Sequence, residues 1–101
     1  MSVSHKAEVK DVVKVQKPRR YAALMHNDDF TTMEFVIEVL ETIFAKSSGE
    51  AYTIMMNVHK KGIGVAGVYS VDIATSKAKK AMELARENNF PFKMTVKEVD
   101  E

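Results

Sequence analysis

Between residues 26 and 36 the chain passes from a cluster of acceptor-rich polar side chains, His26-Asn27-Asp28-Asp29, straight into a strongly apolar helix. A chain that makes this switch must turn at Asn27–Asp29 and then bury the helix face that follows. Upstream, Tyr21 to Met25 is an apolar run ending at that turn, which predicts a first strand. Downstream, Thr31 with Glu34 three residues later predicts a capping box. The helix it opens carries Met33, Val36, Ile37, Leu40, Ile43 and Phe44 on one face, at i, i+3, i+4, i+7 spacing. Hydrogen-bond acceptors therefore stand next to an oily surface.

The remaining pattern completes one small domain. Ser47 with Glu50 repeats the capping signature, and a second helix runs to about Lys61 with Ala51, Met55, Val58 and His59 on its inner stripe. Gly62 is placed to end it as the residue just past the helix. Ile63 to Tyr69 is β-branched and aromatic but carries Gly64 and Gly67, so it predicts a second strand with a close backbone approach. Ser70 caps a third helix ending near Asn88-Asn89, with Ala74, Ala78, Ala81, Met82 and Ala85 on one side, small enough to lie close to a sheet. Phe90, Phe92, Met94 and Val96 alternate with Pro91, Lys93, Thr95 and Lys97, a last strand with one polar face. The order is βααβαβ: an α+β domain over residues 18–101, a three-stranded antiparallel-type sheet with three helices packed on one face. Residues 1–17 are polar and lysine-rich without an aromatic, and read as a flexible N-terminal tail.

Composition removes several functions. The 101 residues suffice for one core. With no cysteine, disulfides, thiolate chemistry and Cys-based zinc sites are excluded, and a reducing compartment fits. The net charge is +1 with the signs interspersed, so no large footprint for nucleic acid exists. The basic clusters Lys17-Pro18-Arg19-Arg20 and Lys77-Ala78-Lys79-Lys80 read as solvated surface. No apolar run approaches the ~18 residues of a membrane span. The first 17 residues carry Glu8 and Asp11 and lack an apolar core region, so neither a signal nor a transit peptide is expected.

Catalysis finds little support. Asp28 and Asp29 are adjacent, point to opposite sides if extended, and make a poor acid–base pair. His26, Asp28 and His59 form a weak metal pattern, unsupported by an H-E-x-x-H or a second acidic cluster. Gly62-x-Gly64-x-x-Gly67 has the spacing of a dinucleotide-binding loop but precedes a strand instead of joining strand to helix. No enzyme, cofactor or metal is indicated. Binding fares better. An α-amino group, with a pKa of roughly 7.7–8.0, is mostly –NH3+ near neutrality and offers three protons. Asn27 offers an amide oxygen, Asp28 a carboxylate and neutral His59 a ring nitrogen, provided the second helix brings His59 beside the turn. Met33, Val36, Met55 and Val58 then supply an apolar wall, and Met adapts to different side chains. The same residues also fit a capping turn beside an ordinary core, with His59 an interfacial histidine. Pattern alone leaves both readings open.

Asn27-Asp28-Asp29-Phe30-Thr31-Thr32-Met33-Glu34-Phe35-Val36 closely resembles the N-D-D-Y/F-T-P-M-E-F-V signature of the ClpS family, adaptors of the Clp protease. The likeness continues through Met55–Gly62, Gly67–Lys77 and Ala85–Phe92, and covers about residues 20–98. The resemblance implies a fold like the C-terminal domain of the ribosomal stalk protein. It implies a monomeric adaptor of the bacterial cytoplasm that recognises N-terminal Leu, Phe, Tyr or Trp (N-degrons). Such an adaptor hands those proteins to the N-terminal domain of a ClpA- or ClpC-type AAA+ unfoldase. By position, Asn27, Asp28 and His59 look like the α-amino ligands and Thr31 like a contact to the peptide backbone. Met33, Val36, Met55, Val58 and Phe92 look like the side-chain pocket, with Met33 its gate, and Asp72 and Lys77 like the unfoldase docking site. Three positions depart from the pattern. Thr32 replaces the usual Pro and is expected to loosen the start of the helix. Phe92 stands where Leu is common and is expected to narrow the pocket against Trp. His26 replaces a typical apolar residue. The alternatives are a ribosomal or translation interaction module sharing the fold, and a metal-dependent hydrolase.

Overall fold

The computed structural model describes residues 18–100; the expected tail lies outside them. Its elements are β1 (Arg20–His26), α1 (Met33–Thr42), α2 (Ser48–Lys61), β2 (Ile63–Tyr69), α3 (Val71–Glu87) and β3 (Lys93–Val99). The sheet order is β2-β1-β3, with both pairings antiparallel. This is the predicted βααβαβ architecture, with three helices against one side of an open sheet.

β1 takes the centre because its inward residues are small or flexible: Ala23 and Met25 are fully buried. The alanines of α3 (Ala74, Ala78, Ala81 and Ala85) are all buried, so this long helix lies close across the strands. The β1–β2 ladder slips by one residue between Ala23 and Leu24, a bulge that leaves Ala66 unpaired and buried. Nothing in the sequence pattern signals that bulge.

Ser47 makes the predicted capping box with Glu50, and Gly62 (φ +85°) ends α2 in the left-handed region. Gly64 is needed for a different reason. A Cβ there would stand 2.7 Å from Val58 Cγ2, so β2 packs against α2 only because the side chain is missing.

Three expectations need correction. The helix stripe shifts: Phe35 and Val39 enter the core, whereas Met33 stays 44% exposed. Apolar residues at 33, 35, 36, 37, 39 and 40 cover more than one stripe, and the Phe90 and Phe92 rings select Phe35, with centroids 5.1 and 5.9 Å away. His59 is exposed and not on the inner stripe of α2. The last strand starts at Lys93, not Phe90. Phe90 N–H is spent on the Ala85 carbonyl (2.9 Å) and Pro91 has no N–H, so the ladder opens at the pair His26–Lys93.

Candidate functional site

The turn after β1 is organised by one carboxylate. Asp28 Oδ1 accepts from the backbone N–H of Phe30 (2.8 Å) and of Thr31 (2.7 Å), and Oδ2 accepts from the Thr31 hydroxyl (2.8 Å). Both donors of Thr31 are thereby committed to an anion, a stronger acceptor than a neutral cap. The N-cap of α1 is therefore Thr32, whose Oγ1 accepts from Phe35 N–H at 3.2 Å, not Thr31 as the capping-box pattern predicts. Residue N3 becomes Phe35, so the reciprocal arm from Glu34 is lost. Thr32 also reverses the expectation attached to it: it fixes the start of the helix with a hydrogen bond that Pro cannot supply.

Burial alone would raise the Asp28 pKa. The N–H groups of Thr31 and Phe30 and the Thr31 hydroxyl outweigh it and hold the carboxyl below its ordinary value. Asp28 is an anion at neutral pH. A carboxylate accepts about four hydrogen bonds, so the turn leaves it capacity for a further donor.

α2 delivers the other wall. Asn27 N–H donates to the Gly62 carbonyl (3.0 Å), which ties the end of β1 to the end of α2 and brings His59, one turn back, beside the Asn27 turn. The side chains of Asn27 and His59 make no hydrogen bond among the described residues. Between the two walls lies a cleft of about 480 Å3 lined by Asn27, Asp28, Thr31, Met33, Val36, Met55, Val58 and His59. Asp29, Phe30, Thr32 and Glu34 complete its rim. That volume suits a small side chain plus its polar head.

Phe92 does not reach this cleft. It is 5% exposed and meets Phe35 edge-on, so its extra bulk fills the core behind α1 instead of narrowing the opening. Lys77 also turns inward. Its Nζ donates to the Ile43 carbonyl (2.8 Å) and stands over the rings of Phe44 (5.9 Å) and Tyr69 (5.4 Å). Asp72 is exposed in the first turn of α3. The structure does not bring the two together as one exposed pair. His26 Nε2 lies 2.8 Å from Thr95 Oγ1 on the neighbouring strand, and among the described residues no three His, Asp or Glu side chains are placed to hold a metal.

An acceptor-rich wall facing an apolar wall on a small α+β domain has the chemistry of a binding protein and suits a ligand with a cationic head and a greasy tail. Comparison with known proteins narrows that class. The model of the family "ATP-dependent Clp protease adaptor protein ClpS" matches residues 16–95. The ATP-dependent Clp protease adapter protein ClpS of Lawsonia intracellularis is 50% identical over 88 residues, covering 87% of this chain and 81% of its own. Its counterpart in Clostridium acetobutylicum is 46% identical over 99 residues, covering 98% of both chains. The solved structure of Agrobacterium tumefaciens ClpS2 bound to L-phenylalaninamide superposes with a TM-score of 0.79 at 37% identity, covering 82% of this chain and all of that one. The chain belongs to the ClpS family, the adaptors of the Clp protease. Among the described residues no helix is long and apolar enough to cross a membrane.

Proposed function

We propose that this protein is an N-degron adaptor: it binds proteins that begin with Leu, Phe, Tyr or Trp and delivers them to a Clp AAA+ unfoldase of the ClpA or ClpC type. It performs no chemistry itself, and acts as a monomer in the bacterial cytoplasm. The observation that carries the reading is a set of acceptors with capacity to spare, the Asn27 and His59 side chains and the partly used Asp28 carboxylate, at one wall of a cleft whose other wall is Met33, Val36, Met55 and Val58. The ligand of the Agrobacterium relative supports it, since L-phenylalaninamide carries a free α-amine and a benzyl side chain.

In this reading the α-ammonium donates to the Asn27 amide oxygen, the Asp28 carboxylate and the neutral His59 ring, while the first side chain enters between Val36, Met55 and Val58. The Thr31 hydroxyl keeps its lone pairs for the peptide backbone. Met33, half-exposed at the mouth, clashes with first residues branched at Cβ, which are stiff there. Asp72 marks the docking end for the unfoldase, flanked by the exposed Val71 and Ile73, with Lys77 holding the helix that presents it.

Magnitudes require both halves of the ligand. Burying a Leu or Phe side chain contributes about 1.5–3 kcal/mol, short of the roughly 8 kcal/mol of micromolar binding. Charge-assisted hydrogen bonds to the amine must supply much of the rest. Titrating a peptide panel that differs only at residue one, with and without acetylation, tests this. Free Phe, Leu, Tyr and Trp peptides should bind, Val and Ile poorly, and acetylated Phe not at all. An acetylated Phe peptide binding within about threefold of the free one overturns the reading.

A further inference from the structure

We propose, building on the reading above, that Gly64 is a specificity-determining residue of the cleft without lining it: its missing side chain sets how large a first residue the cleft admits. Gly64 pairs with Met25 across the β1–β2 ladder, and Met25 is fully buried, so this position lies on the face of the sheet that the helices cover. A Cβ at this position would stand 2.7 Å from Val58 Cγ2, 3.5 Å from the Val58 backbone nitrogen and 3.6 Å from the Ile54 carbonyl oxygen. The C-terminal half of α2 therefore lies directly against it. Val58 is 3% exposed, yet it is also part of the apolar wall of the cleft. One side chain rests on the strand and borders the ligand.

A methyl group added at Gly64 has three outlets, and two are closed. Val58 cannot rotate aside, because a side chain with two methyls on Cβ holds nearly a single χ1 rotamer in a helix. α2 cannot lift away freely. Gly62 N–H donates to the Val58 carbonyl (2.9 Å) while the Gly62 carbonyl accepts from Asn27 N–H (3.0 Å), which ties the end of the helix to the end of β1. The third outlet is the cleft, the empty space that Val58 and Met55 border. Elsewhere the interior is close-packed and does not give. The displaced side chain thus narrows the pocket where the first residue enters. Asn27 and Asp28 belong to the turn after β1 and keep their places, so the amine stays bound. The result is a change of rank among first residues: a pocket smaller by a methyl group rejects the largest side chain before the smaller ones.

The experiment titrates free Leu-, Phe-, Trp- and Gly-first peptides against wild type, Gly64→Ala, Val58→Ala and the double variant, with urea unfolding of each. Gly64→Ala should lose about tenfold in its Trp-to-Leu affinity ratio, with Phe between, the effect of roughly one methyl group in an apolar pocket. Val58→Ala removes the atom that the new methyl meets. Adding Gly64→Ala to it should therefore leave the Trp-to-Leu ratio within about twofold of Val58→Ala alone, so that the two changes are non-additive. A merely structural role for Gly64 would lower stability and scale the Leu, Phe and Trp peptides alike, and that result overturns the proposal. So does a ratio shift of the same size with and without the Val58 side chain. A Gly64→Ala chain that fails to fold overturns it too, because the displacement has then not gone into the cleft. Each of these leaves the adaptor reading intact. A wild type that does not discriminate Phe from Gly removes the adaptor reading itself.

Discussion

The two ends of α1 are each tied by side chains from outside the helix, yet they use polar atoms in opposite ways. At the C-terminal end donors and carbonyls pair with one another. Phe44 N–H goes to the Val39 carbonyl (3.3 Å), Lys46 N–H to Leu40 (3.0 Å), and the Lys77 ammonium reaches across to Ile43 (2.8 Å). At the N-terminal end Asp28 takes three donors and retains acceptor capacity, while the side chains of Asn27 and His59 beside it make no hydrogen bond among the described residues. Saturated polar groups hold a fold; acceptors left over at a cleft are what a ligand can use. The same helix therefore has a structural end and a receptive end.

Asp28 is where that contrast breaks most visibly. Asp28→Ala should cost at least about tenfold in affinity for a Phe-first peptide, since one hydrogen bond to a charged group contributes about 1.5–3 kcal/mol, and should destabilise the turn as well. Asp28→Asn separates the effects: it keeps an oxygen for the Phe30 and Thr31 N–H groups but loses the charge, so fluorescence titration should show affinity falling further than urea stability. Wild-type affinity in Asp28→Asn would mean that the carboxylate is only a turn former.

Lys77 tests the other end. Lys77→Met keeps the aliphatic stem over Phe44 and Tyr69 but strips the Ile43 carbonyl of its partner, and should lower unfolding free energy by about 1–2 kcal/mol. Peptide affinity should stay unchanged. A parallel loss of binding would show that the ends of α1 are coupled.

A smaller effect follows from pH. Asp28 has a folded pKa below its ordinary value, so its contribution is present above the unfolded pKa, near 3.9, and is lost as pH falls through the folded value. The stability gap between wild type and Asp28→Asn should be flat from pH 7 to about pH 5 and shrink progressively below pH 4. A gap that stays constant to pH 2 would remove the turn hydrogen bonds as its cause.

The smallest effect concerns the turn that follows α1. Ala45 sits at φ +54°, a left-handed conformation that strains any side chain bearing a Cβ. Ala45→Gly should raise stability by about 0.5–1 kcal/mol without touching the cleft. No gain would mean that the extra freedom of Gly in the unfolded chain cancels the relieved strain.

How much of this was legible beforehand depends on the range of the forces involved. The Ser47–Glu50 cap, the Gly62 stop and the alanine face of α3 are local or periodic, and the sequence displays them. The choice between Thr31 and Thr32 as cap is not visible, because either hydroxyl suits and the Asp28 carboxylate decides. The family resemblance assigns Phe92 to the cleft by position alone, and position does not say how deep a side chain lies; Phe35 meets its ring in the core. The inward turn of Lys77 depends on an acceptor 34 residues away, beyond any local pattern. Asn27, Asp28 and His59 were nameable as acceptors, but only the Asn27–Gly62 bond makes them neighbours.

That bond also sets a schedule. Asn27 directly follows the central strand, His59 and Gly62 lie about 30 residues later, and that strand is flanked on its other side by β3, which follows all of them in sequence. A ribosome that has exported only the first half of the chain has exported the turn without its opposing wall. One that has reached Gly62 still lacks the strand that seats β1. The two walls of the cleft therefore meet on a seated β1 only after β3 has also emerged, and a nascent chain stopped short of β3 should bind no Phe-first peptide.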